Sequence, residues 1–61
     1  MKKTTLRQLK VIELFIKTGN VDSASRSLSD LIRSSRSNKE IKELWDLAKD
    51  LGLTENSNFI I

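Results

Sequence analysis

The stretch "TGNVDSASRSLSDLIRSSRS", Thr18 to Ser37, decides the fold. Gly19 supplies the left-handed residue that ends one helix. Asn20 is a good N-cap for the next, and Asp22 in its first turn suits the helix dipole. Beyond this corner Val21, Ala24, Leu28, Leu31 and Ile32 form one narrow apolar stripe at helical spacing. A break at Ser29 would divide the segment into two short helices. A stripe that continues through Leu31 and Ile32 makes one helix reaching about Ser34, and the spacing favours that reading.

Upstream of the corner, "TLRQ" is a capping-box pattern that starts the first helix at Thr5, with Gln8 reaching back. Leu6, Leu9, Ile12 and Ile16 recur at spacings of three and four. Val11, Leu14 and Phe15 widen this stripe beyond what one neighbouring helix needs. Glu13 and Lys17 stand four residues apart in the favourable order for an ion pair. Downstream, "SSRSN" reads as a loop. "SNKE" is a second capping box, with Ser37 as N-cap and Glu40 at N3. The third helix carries Ile41, Leu44, Ala48 and Leu51 on one stripe, with Trp45 and Leu47 at its flanks. Gly52 is its natural C′ residue, and Leu53 can pack back on Ala48.

The expectation is therefore an all-α, compact three-helix domain with helices at about 5–18, 21–35 and 38–51. Residues 1–53 form the domain and 54–61 a short C-terminal tail. The expected core is Leu9, Ile12, Phe15, Ile16, Val21, Ala24, Leu28, Leu31, Ile32, Ile41, Leu44, Trp45, Ala48 and Leu51. Seven of the fifteen residues from Ser23 to Ser37 are serine. Serine is only a fair helix former because its hydroxyl competes for the backbone, so packing must hold the second helix.

Sixty-one residues make one small domain with a marginal core. Such domains often lean on disulfides, a metal or a second chain. There is no Cys and no His. That excludes disulfides, zinc by its usual ligands, thiol nucleophiles and imidazole acid–base chemistry. The serines have no His to activate them, and "TGN" is a turn rather than a phosphate loop. Asp46 and Asp50 are four residues apart but read as solvated surface. Neither an enzyme, a metal site nor a cofactor is expected. "MKK" is followed by polar "TTLRQLK", so no signal peptide is expected, and no run approaches the ~20 apolar residues of a membrane span. The absence of Cys fits a cytoplasmic protein.

The formal net charge is +3, from 11 basic and 8 acidic residues, and the pI is about 9.6. At ~100° per residue, Arg26 and Arg33 fall opposite the stripe of the second helix, with Ser29, Asp30 and Arg36 on the same outward side. Lys39 and Lys42 follow. These five cations are the candidate nucleic-acid contacts, with the serines between them as phosphate donors. The tail ends in Phe59, Ile60 and Ile61. This apolar end either folds back over the core or docks on a partner. With Trp45 it forms the candidate protein-binding set.

Leu6 to Leu28, "LRQLKVIELFIKTGNVDSASRSL", resembles the front of the helix-turn-helix domain of LysR-type transcription regulators. Leu6, Leu9, Thr18, Gly19, Ala24 and Leu28 carry the likeness, which implies DNA binding and transcription regulation. It stops there: Asp30 stands where the family has an apolar turn residue, and Leu31 where it has a cap. The segment "LFIKTGNVDSASRSLSDLI" is also similar to a tetratricopeptide helical hairpin, through Phe15, Ala24, Leu28 and Leu31. That similarity implies protein binding. It lacks the family's small residue at Ile12 and its closing Pro.

Two functions are therefore expected side by side. One is a small non-enzymatic regulatory protein that binds nucleic acid through Arg26, Arg33, Arg36, Lys39 and Lys42. The other is a helical adaptor or inhibitor that binds a protein through its helix faces or through Trp45, Phe59, Ile60 and Ile61. The wide stripe of the first helix also leaves room for a homodimer contact.

Overall fold

Helix formation runs unbroken through Ser29. In the computed structural model, which describes residues 2–61, the chain forms α1 (Lys3–Lys17), α2 (Val21–Ser34) and α3 (Asn38–Asp50), followed by a single 3-10 turn at Leu53–Glu55 and the tail. The described residues contain no strand. Their radius of gyration is 10.4 Å, matching the ~10.5 Å expected of a folded chain this long.

Most helix ends fall where local chemistry puts them. Gly19 has φ +84° and Gly52 φ +72°, so both adopt the left-handed turn that other residues resist. The Ser37 hydroxyl accepts from the Glu40 amide at 3.3 Å, which is half of a capping box. Asn20 occupies the cap of α2, but its side chain makes no capping bond.

The start of α1 differs from expectation. The helix begins at Lys3 with Lys2 as its cap, and Thr5 lies inside the first turn, almost wholly buried. Its hydroxyl donates to Glu40 Oε1 at 3.0 Å. A buried hydroxyl needs a partner, and the one it finds is on α3. The same bond takes the Glu40 carboxylate away from the Ser37 amide, so the second capping box is not reciprocal. Thr5→Val keeps the shape and deletes this bond. It is expected to cost about 1 kcal/mol and lower the melting temperature by about 4–8 °C, read by circular dichroism.

The core is Ile12, Ala24, Leu28, Ile32, Leu44, Ala48 and Leu53. Leu9, Phe15, Ile16, Leu31, Ile41, Trp45 and Phe59 pack around it. Two expected core residues are exposed: Val21, beside the corner, and Leu51. Leu53 takes the place of Leu51, because the left-handed turn at Gly52 redirects the chain and points Leu53 back inside.

The helix order explains the serines. α2 packs against both α1 and α3, while no Cα of α1 lies within 8 Å of a Cα of α3. A helix covered on two sides needs small residues there, and Ala24, Ser25 and Ser29 are fully or almost fully buried. Ser29, expected to face outward, is a correction of this kind. The Ser25 and Ser29 hydroxyls are satisfied by their own helix: Ser25 donates to the Val21 carbonyl and Ser29 to that of Arg26, both at 2.9 Å.

Candidate functional site

Three surfaces emerge from this arrangement. The first is an apolar groove left by the separation of α1 and α3. Packed helices normally sit with axes 8–10 Å apart. Here the two helices share α2 without closing on each other, and a groove of about 460 Å³ opens between them. Leu6, Leu9 and Ile12 line it from α1, Leu47 and Leu51 from α3, and Lys10 and Glu13 stand at its edge. Ile12 is only 1% exposed, whereas Leu6 is 49% and Leu51 40% exposed. A shared core residue thus lies beside leucines that face open space.

The second surface collects the expected cations, but unevenly. Arg36 in the α2–α3 turn lines a depression of about 360 Å³ together with Lys2, Ser34, Ser37 and Glu40. Lys39 follows on the first turn of α3, and Arg33 lies on the last turn of α2. Arg26 is elsewhere: its Nη2 donates to Asn58 Oδ1 of the tail at 3.3 Å. Arg33 meets Asp30 at 3.8 Å across an exposed surface. Arg26 and Arg33 do share one line of α2, but Asp22 and Asp30 lie along the same outer side, so the charge there alternates. Lys42 is exposed on α3 and does not line the depression. The basic character therefore concentrates at the end of the molecule that holds Lys2, Arg33, Arg36 and Lys39.

The third surface is the tail. Phe59 meets Trp45 edge-on, with ring centroids 5.2 Å apart and planes at 76°. Asn56 Nδ2 donates to Asp22 Oδ1 at 3.0 Å, adding a second tie to α2 beside that from Arg26. Phe59 and Trp45 are half-buried and occupy each other. Ile60 and Ile61 are 64% and 55% exposed. The four candidate protein-binding residues thus split into a pair that closes the core and a pair that stays outside.

No group of three metal-capable side chains comes together among the described residues. Glu13 and Lys17, expected to pair, do not approach within 4 Å, and Arg33–Asp30 is the one ion pair among the described residues. None of the described helices is long and apolar enough to cross a membrane.

The groove is the feature that sequence reasoning missed. The width of the α1 stripe was its only trace. Of its lining residues Ile12 and Leu9 belong to the core as their spacing predicts, whereas Leu51 is exposed, since apolar spacing alone cannot tell a packed face from an open one. No protein-family model, curated protein or solved structure matches the chain.

Proposed function

We propose that this chain is a non-enzymatic protein-binding module, an adaptor or inhibitor, that receives a helical segment of its partner in the groove between α1 and α3. The observation that carries this reading is the groove itself. It has a leucine-lined interior between two helices that a shared third helix holds apart. Laying an amphipathic helix into an apolar groove is a common mode of recognition. Leu6 and Leu51 leave 49% and 40% of their surface exposed, and burying it against a partner would return the usual free energy of apolar contact. A cytoplasmic setting suits a chain with no Cys.

The nucleic-acid reading keeps one specific support, the basic end formed by Lys2, Arg33, Arg36 and Lys39. Its contacts would be to phosphates, which fix position without reading sequence.

One experiment separates the two. Tagged chain is used to capture partners from a lysate of its source cells, with and without nuclease, beside two variants checked for helical content. If the groove is the site, Leu47→Asp loses the captured protein. Its affinity falls by about thirtyfold or more, as for a central interface residue. Arg33→Ala with Arg36→Ala retains it, and nuclease has no effect. If nuclease or the arginine changes abolish capture while Leu47→Asp does not, the basic end is the site and the groove reading is wrong.

A further inference from the structure

The groove has rims of opposite net charge. On α1, Lys10 and Glu13 border it, and Lys3 and Lys17 lie seven residues to either side of Lys10, within about 20° of the same helix line. On α3, Leu47 lines the groove with Glu43 four residues before it and Asp50 three after it, the spacings that place side chains on one face. All six charged residues are exposed, and none takes part in an ion pair within the described residues. One wall therefore carries three unpaired lysines with one unpaired glutamate among them, a net positive rim, and the other a pair of unpaired carboxylates, with leucines between them. Flanking charges of this kind set partner choice and direction in coiled coils.

We infer that the occupant is an amphipathic helix with an acidic flank and a basic flank. Its acidic side lies along the lysines of α1 and its basic side along Glu43 and Asp50 of α3, so the rims fix the direction in which it runs. This inference rests on the groove reading and adds the chemistry of the partner. A second copy of the chain is the rival occupant. Paired about a two-fold axis along the groove, two copies would also set lysines against carboxylates. A single helix, 10–12 Å across with its side chains, fits a valley between helices and completes a four-helix arrangement.

The test uses three labelled 18-residue helical peptides with one leucine repeat and different flanks: one acidic and one basic, both acidic, or both basic. Binding to the full chain is read by fluorescence anisotropy, and the chain's own mass by sedimentation. The mixed-flank peptide is expected to bind about tenfold more tightly than either uniform one at low salt, with the contrast shrinking at 0.5 M salt, about where screening becomes strong. In the triple variant Lys3→Glu, Lys10→Glu, Lys17→Glu both rims are acidic, and the preference moves to the all-basic peptide. In Glu43→Lys, Asp50→Lys it moves to the all-acidic one. Equal binding of all three peptides, abolished by Leu47→Asp, would overturn the rim assignment and leave the groove reading standing. Binding of none would overturn both. Self-association that excludes the peptides would replace the partner helix with a second copy and overturn the inference.

Discussion

Leu28→Ala is expected to leave the domain largely unfolded at physiological temperature. Leu28 is fully buried on α2, the helix that packs against both others. Truncating a buried leucine costs about 2–5 kcal/mol, because lost transfer free energy adds to the cavity left behind. A folded chain retains about 0.05–0.15 kcal/mol per residue, or about 3–9 kcal/mol here. The substitution therefore removes much or all of the margin, and the melting temperature should fall by about 10–30 °C. Thermal and urea unfolding followed by circular dichroism measure this. Leu14→Ala is the control: Leu14 is 59% exposed and should change stability by no more than about 0.5 kcal/mol. A loss below about 1 kcal/mol for Leu28→Ala would mean that α2 is not the shared centre of the packing.

The second large effect concerns the end of the chain and divides it sharply. Removing residues 53–61 takes away Leu53, which is 1% exposed, and the Phe59 ring against Trp45. Burial of one leucine contributes about 1.5–3 kcal/mol, and the edge-on aromatic pair about 0.5–1.5 kcal/mol more. The truncated chain should lose its cooperative transition. Removing only Ile60 and Ile61 should leave the transition in place, since both are more than half exposed. If the longer truncation melts like the full chain, Leu53 and Phe59 are passengers. If the shorter one unfolds it, the last two residues are core after all. Because Phe59 holds its place on Trp45, loss of partner capture on removal of residues 59–61 would need a stability measurement beside it before the tail could be called a docking peptide.

The helices were legible because their ends depend on single residues with local chemistry. Gly19 and Gly52 adopt the left-handed conformation their positions require, and Ser37 makes the capping bond its spacing implies. The continuity of α2 was legible too, since Leu31 and Ile32 extend the stripe past Ser29. What could not be read was the identity of each neighbour. "TLRQ" satisfies a capping rule, yet Thr5 donates to Glu40 across the fold instead of capping its own helix. The serines of α2 look like a polar face until Ser25 and Ser29 are seen to be buried as well. Leu6 and Leu51 carry the same apolar signal as Ile12, and only the distance between α1 and α3 separates the groove from the core. The charged rims follow from spacing, but a rim has no meaning until the gap it borders is known.

The placement of α2 has a consequence for the route by which the chain folds. Close backbone packing runs from α1 to α2, from α2 to α3, and from α3 and α2 to the turn at Leu53–Glu55, while α1 and α3 meet through side chains such as Thr5 and Glu40. Every helix pair whose backbones pack closely is adjacent in sequence and joined by three residues, so little chain entropy is spent on closing long loops. Topologies of this kind have low contact order and fold in microseconds to milliseconds. Either hairpin can form first, provided α2 is in it, and the last helix to dock then finds its template already built.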